Sequence, residues 1–328
     1  MTAEYDTVDH RVAADETTVH STWNNELDPV CTVDPGDVVR LECRDATNGQ
    51  LGPDSAAADV AELDIDPVHP LTGPIAVDGA SPGDVLEVEL LDLEHRGWGY
   101  TLVLPGEIGH GLLPDGFPEP AIHVWELDDD ADDGVCRFVN DIEVPLNPFP
   151  GIVGVAPAET GTHGTFPPRS VGGNIDIKHL TAGSTLFLPV AVEDALVSVG
   201  DCHAAQGDGE VCGTGIEAPM SVTCRFDVRS DLTIEQPQFE TDGPFTPTGR
   251  DEPTFGTTGI DETLRGATEN AVSGMIDHLH EERGLTREQA YILCSAAVDL
   301  KINEVVNAPN WVVSAYLPES IFPEERRR

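Results

Sequence analysis

Lysine is almost missing from this sequence: Lys178 and Lys301 are the only two in 328 residues. With 17 Lys+Arg against 60 Asp+Glu and a formal charge of −43, a surface able to hold nucleic acid or an anionic membrane is excluded. No uninterrupted apolar run reaches the roughly 18 residues that a membrane-spanning helix needs. The opening stretch, MTAEYDTVDHRVAADETTVH, lacks a basic start and an apolar core, so it does not read as a signal peptide. Seven cysteines (Cys31, Cys43, Cys136, Cys202, Cys212, Cys224, Cys294) contain no Cys-x-x-Cys pair. That disfavours a zinc ribbon, a redox pair and a secreted disulfide framework. They read instead as small buried hydrophobes in a reducing cytoplasm. Missing too are a Gly-x-Ser-x-Gly elbow, a Walker loop, a dinucleotide fingerprint and a His-Glu-x-x-His helix.

What is present in excess is acid. It is spread over the whole chain rather than gathered in a tail, so it does not mark a cation-binding segment. Such a balance keeps a protein hydrated and dispersed in concentrated salt, where charges are screened over about 3 Å at 1 M. The chain therefore reads as a salt-adapted, cytoplasmic protein. Its densest run, ELDDDADDG at 126–134, lacks the ligand spacing and terminal glutamate of an EF-hand loop. It reads as a solvated hairpin tip.

Length alone allows two domains or one large β body. The first 258 residues are dense in Gly and Pro and alternate short apolar runs with turn signals. Strands are expected at 38–46, 84–94, 121–128, 184–193, 195–203 and 220–228, which indicates a mainly β sandwich or distorted barrel. An echo runs through it: DPGDVVRLECRD (34–45) and SPGDVLEVELLD (81–92) share a turn and a strand, and TAGSTLFLPVAVED (181–194) is a looser third copy. Each reads as a β-arch launched by a tight glycine turn. Two β subdomains meeting near 155–170 are a further option for this body. After Gly259 the texture changes. Residues 260–284 carry Leu264, Ala267, Ala271, Met275 and Leu279 at helical spacing. Gly284 is placed to end that helix, and Thr286 with Gln289 to cap a second one running to about Asp299, with Ala290, Leu293, Ala297 and Leu300 on one side. A strand at 311–318 follows, so 259–328 is expected as an α-hairpin plus strand packed on the body. His278 and His280 fall two apart on the first helix and cannot share a face, which makes them poor joint ligands.

The chemistry concentrates in GDCHAAQGDGEVCGTGIE (200–217). In a strand Asp201 and His203 leave the same face, being i and i+2. The Gly207-Asp208-Gly209 turn then folds the chain back and brings Glu210 beside them. Carboxylate, imidazole and a second carboxylate are the parts of a hydrolytic metal site, with Glu210 placed to take a proton from water. Asp208 reads as solvated surface. In RSVGGNIDIKHL (169–180), Asp176 is a third candidate ligand, and Asn174 and Lys178 are candidates to orient or polarise a carbonyl. His69, held among prolines in DPVHPLTGPI, is a further candidate ligand. Gln206, Gly209, Glu217 and His20, the last beside Trp23, are candidate substrate contacts.

On these residues the chain resembles the acetamidase/formamidase family. The matching pieces are PVCTVDPGDVVRLECRDATNGQL (29–51), HPLTGPIAVDGASPGDVLEVELLDL (69–93), VPLNPFPGIVGVAPA (144–158), residues 172–217, and AYILCSAAVDLKINEVVNAPNWVVSAYLP (290–318). The short connection between the GVAPA and GGN segments resembles the acetamidase-type group more than the formamidase-type. The resemblance implies a β-rich fold with a helical C-terminal portion and a metal-dependent hydrolase of short aliphatic amides, expected as a homo-oligomer, a dimer first. Zinc is the expected ion and calcium the alternative. Asp176, Asp201, His203, Glu210 and Glu217 fall on the family's acid and histidine positions, with the division between ligands and base left open. Two other readings stand beside this one: a non-catalytic metal- or ligand-binding β module, and an amidase for a larger or cyclic amide.

Overall fold

A computed structural model describes residues 7–105, 111–127, 134–241 and 253–323. Residues 128–133, the heart of the acidic run read as a hairpin tip, lie outside the described residues.

Two open six-stranded sheets form the body. The first runs His10–Val12, Val38–Cys43, Met220–Arg229, Val85–His95, Thr185–Pro189, Gln238–Glu240. The second runs Gly172–Asn174, Phe149–Val155, Val197–His203, Leu71–Val77, with Val19–His20 and Cys31–Val33 both pairing the last of these. Strands from before and after 155–170 are interleaved in both sheets. A single apolar cluster draws on both sheets and on the C-terminal helices.

The three related turns are the physical origin of the first sheet. Gly36, Gly83 and Gly183 take φ of +94°, +100° and +90°, values that suit a residue without a Cβ. In two of the turns the following aspartate caps the loop: Asp37 and Asp84 each accept from the backbone N–H three residues earlier, at 3.0 Å. Each turn launches a strand of that one sheet. The outward face of this sheet carries arginine–glutamate pairs such as Arg225–Glu89 and Arg229–Glu87. The second sheet differs. Every residue of Leu71–Val77, Phe149–Val155 and Val197–His203 is buried, so its polar side chains lie inside the molecule.

The C-terminal region departs from expectation at two points. Thr254–Asp261 is a strand, paired along its length with Trp311–Pro318, and the expected boundary at 258/259 falls within it. The first helix therefore starts at Leu264, where the Thr263 hydroxyl accepts from Gly266 N–H, and it ends at Arg283 before Gly284 at φ +71°. Leu264 itself is exposed, whereas Ala267, Ala271, Met275 and Leu279 are buried as expected. The second helix, Arg287–Ala297, opens on the Thr286/Gln289 capping box. It stops short of Leu300, because Asp299–Glu304 turns away to pair with Trp311–Pro318. His278 stacks on Phe255 and His280 Nδ1 bonds the Leu285 carbonyl, so both serve the helix end. No helix among the described residues is long and apolar enough to cross a membrane.

Candidate active site

Val197–His203 carries Asp201 and His203 into the interior. Beyond it the chain loops out and returns, so that Glu217 pairs with His203 across an antiparallel bridge and with Tyr100 on its other side. Ala204 N–H to Ile216 O and Ala218 N–H to Cys202 O, both 2.8 Å, hold the return in register. The glycine turn at 207–209 places Glu210 over the cluster, and the return also delivers Glu217, expected as a substrate contact from its position and as a ligand or base from the resemblance. Asp176 arrives from the segment after Gly172–Asn174. Two overlapping triads result, Asp176–His203–Glu210 and Asp201–His203–Glu217, each with donor atoms within 4.8 Å of one another.

The imidazole's tautomer follows from its partners. His203 Nδ1 lies 2.7 Å from Gln206 Oε1, while Gln206 Nε2 donates to the Asp176 carbonyl at 3.2 Å. A carbonyl can only accept, so the amide is oriented and Nδ1 carries the proton. Nε2 then faces Glu217 Oε2 at 3.1 Å, Asp201 Oδ1 at 3.7 Å and Glu210 Oε1 at 3.9 Å. Gln206, expected to touch substrate, is thus the residue that orients the histidine. Phe149, the cross-strand partner of His203, packs edge-on against its ring.

The electrostatics are those of an anionic cage. Burial drives the Asp176 carboxyl up to about 7 and the Glu217 carboxyl up to about 8, with Asp201 adding to both. Burial, then Asp176, pushes Glu210 well above the usual carboxylate range. For Asp201 the same burial is outweighed by His69 and His203, which hold it below that range. His203 goes well above its usual value because Glu217 and Asp201 outweigh burial. Asp176 Oδ1, Asp201 Oδ1, Glu217 Oε2 and His203 Nε2 are all buried without a hydrogen-bond partner. One nitrogen lone pair and converging carboxylate oxygens are the donors a divalent cation takes, and an imidazole among them suits zinc better than calcium.

The other candidates separate into those at the site and those near it. Glu210, Glu217, Asp201, Gly209, Asn174 and His69 line a cavity of about 240 Å³. His69 Nε2 stands 3.8 Å from Asp201 Oδ2, outside both triads, and its ring packs on Phe166. It is a neighbour of the cluster rather than a member. Lys178 does not face the cavity: its ammonium pairs with Asp299 and, at 3.1 Å, with Asp208. Asp208, read as plain surface, is therefore half of a clamp. Asn174 has given its amide N–H to the Phe166 carbonyl at 3.1 Å, so that group does not point at a substrate carbonyl. His20 lies off the cavity with both nitrogens engaged, by the Thr22 carbonyl at 2.8 Å and the Ser198 hydroxyl at 2.9 Å. It is a structural histidine. Sequence reasoning missed Thr47, Tyr100, Phe166 and the apolar wall of Leu63, Ile65, Val68, Leu102 and Leu104. These are single residues of distant segments and carry no local signal. Gly151 did carry one, a glycine inside an apolar strand. A Cβ there would stand 2.6 Å from Asp176 Oδ1 and 2.7 Å from the Asp201 carbonyl.

Comparison with known proteins covers nearly the whole chain. The model of the acetamidase/formamidase family matches residues 6–163 and 158–324. A formamidase of Methylophilus methylotrophus is 32% identical, over 93% of this chain and 89% of that one. An acetamidase of Mycolicibacterium smegmatis is 30% identical, over 87% of each. Among solved structures, a gamma lactamase from Delftia acidovorans superposes with a TM-score of 0.87 at 29% identity, covering 95% of this chain and 93% of that one. An acetamidase from Bacillus halodurans superposes at 0.65, also 29% identical, covering 94% and 97%.

Proposed function

Because the chain belongs to the acetamidase/formamidase family, we propose that it hydrolyses a carboxamide to a carboxylate and ammonia at the carboxylate–imidazole cluster. One observation carries this reading: the buried donor atoms of Asp201, His203 and Glu217 lie within 4.8 Å of one another, and none has a hydrogen-bond partner. A divalent cation satisfies all three, whereas without it burial drives Glu217 to take up a proton. His203, Asp201 and Glu217 would hold the ion, zinc by the donor set, with Asp176 in reach of the same imidazole nitrogen. Bound there, such an ion polarises a carbonyl and lowers the pKa of water.

The chain's own residues supply the rest. Gln206 keeps Nδ1 protonated and so keeps the Nε2 lone pair turned to the cluster. Glu210 lines the cavity with a side chain 21% exposed. Its carboxylate, favoured once a cation at the cluster offsets the acids that push Glu210 up, takes the proton of the attacking water and passes it to the amide nitrogen, which leaves as ammonia. E210Q is expected to keep its ion and its melting temperature while kcat falls at least about a hundredfold. Retained turnover would remove Glu210 from the role of base.

The cavity itself favours a second reading of the substrate. About 240 Å³ walled by Leu63, Ile65, Leu102, Leu104 and Phe166 is far more room than formamide or acetamide fills, and the gamma lactamase likeness points the same way. We therefore include larger and cyclic amides in the test. Ammonia release is measured from formamide, acetamide and butyramide in molar potassium chloride, before and after chelation. Lactam opening frees an amine rather than ammonia and is followed through that amine. Chelator-sensitive turnover restored by one divalent ion supports the hydrolase. Folded, ion-loaded protein that turns over none of these amides would instead be a binding module.

A further inference from the structure

We infer that residues 62–68 build an acyl-group subsite, and that the substrate it selects carries an uncharged, apolar acyl group larger than acetyl, branched or ring-shaped. The inference rests on the carboxamide reading above and adds to it what the other half of the amide must be. In this stretch acids and apolar residues alternate: Glu62, Asp64 and Asp66 are exposed, while Leu63 and Ile65 between them are half-buried. Such alternation turns one set outward and the other inward, and the inward set lines the cavity. Gln50 fixes the orientation. Its Oε1 accepts from Asp64 N–H at 2.8 Å and its Nε2 donates to the Asp64 carbonyl at 2.9 Å. The backbone between Leu63 and Ile65 is thus held by both of its polar groups.

A second segment completes the wall. Tyr100 and Leu102 leave one face of Trp98–Val103, and Leu104 follows just beyond it at the same spacing. With Leu51, Val60 and Leu63 they form an apolar cluster separate from the main core. Among the described residues, Ile65 and Val68 line the cavity half-buried yet join no apolar cluster. Apolar surface left in a cavity favours an apolar group that covers it. The charged side chains of the lining are Asp201, Glu210, Glu217 and His69. Among the described residues no Lys or Arg lines it, and Lys178 is turned to Asp208 and Asp299. A carboxylate on the acyl group would lie buried among acids, with no Lys or Arg to pair it. The amide carbonyl therefore goes to the cluster and the acyl group to Leu63, Ile65 and Val68.

Three amides test this: acetamide, 4-methylpentanamide, and succinamate, in which a carboxylate replaces the isopropyl end of 4-methylpentanamide. Binding of each to zinc-loaded E210Q protein is measured by ligand-observed NMR in molar potassium chloride, and kcat/KM by ammonia release from the wild-type chain. 4-Methylpentanamide is expected to bind at least about tenfold better than acetamide and at least about a hundredfold better than succinamate. I65W fills the subsite and is expected to lower the ratio of 4-methylpentanamide to acetamide binding at least about tenfold. Zinc affinity, titrated in parallel, should not move. Equal binding of 4-methylpentanamide and acetamide, succinamate binding as well as its isostere, or a ratio that survives I65W overturns the inference. The three-ligand comparison needs no change at Ile65, so poor folding of I65W does not shield the idea. Selective binding by a protein whose wild type releases no ammonia would sink the hydrolase reading and leave this one standing. Ammonia release without selectivity would do the reverse.

Discussion

Three of the cluster's carboxylates ride on left-handed backbone: Asp176 at φ +44°, Asp201 at +52° and Glu210 at +45°. Non-glycine residues in that region cost roughly 1–3 kcal/mol each, so the surrounding packing must hold them there. Gly151 is part of that packing, since its bare Cα lets Asp176 and the 201–203 strand close together. G151A pushes on Asp176 Oδ1 and on the Asp201 carbonyl and should weaken zinc binding by roughly ten- to a hundredfold, as read by competition with a chromophoric chelator. Unchanged affinity would mean that the cluster relaxes freely. The gathering of Asp201, His203 and Glu210 was legible in the sequence because all three lie close together on a strand end and a glycine turn, although Asp201 leaves regular strand geometry at φ +52°. The role of Gln206 was not, because it depends on the carbonyl of Asp176, 30 residues away.

Among the elements, the Arg287–Ala297 helix does more than cover the body. Ser295 accepts from Cys212 N–H and donates to the Thr214 carbonyl, its own carbonyl accepts from Gly207 N–H, and the Tyr291 hydroxyl donates to the Val211 carbonyl. The loop that carries Glu210 is thus moulded on the C-terminal helix. Lys178 adds a second brace, joining the segment of Asp176 to Asp208 in that loop and to Asp299 at the start of a strand. K178M leaves two acids facing each other with no cation between them. It should cost roughly 2–3 kcal/mol in denaturant unfolding, below the 3–5 of a fully buried pair because Asp208 is partly exposed. K178R is expected to recover part of it, and a loss under 0.5 kcal/mol would make the pair a surface contact.

At the scale of the whole molecule, two charge effects are separable. In ion-free protein, burial keeps the Asp176 and Glu217 carboxyls protonated up to about 7 and 8, whereas the unfolded chain releases those protons near pH 4. The folded state then binds more protons than the unfolded one between those values, so its stability falls as pH rises through them. An ion in the cage removes that penalty. The melting temperature lost on chelation should therefore be larger at pH 8 than at pH 5.5, and an equal loss would argue against these carboxylates as ligands. The −43 formal charge acts over the whole surface. Melting temperature should rise steeply with potassium chloride up to about molar concentration, where the screening length is about 3 Å, and a flat profile would refute salt adaptation. The sequence by itself determined the three glycine turns and the strands they launch, both helix caps, and the meeting of Asp201 with His203 and Glu210. All of these follow from backbone conformation and hydrogen bonds within a few residues. Only the tertiary structure decided that Glu217 pairs with His203 across a backbone bridge, that His20 is tied to Ser198 across 178 residues and that Lys178 reaches Asp299 across 121. A polar side chain's role is set by whichever groups complete its hydrogen bonds and charge, and here those groups come from distant segments that only folding brings together.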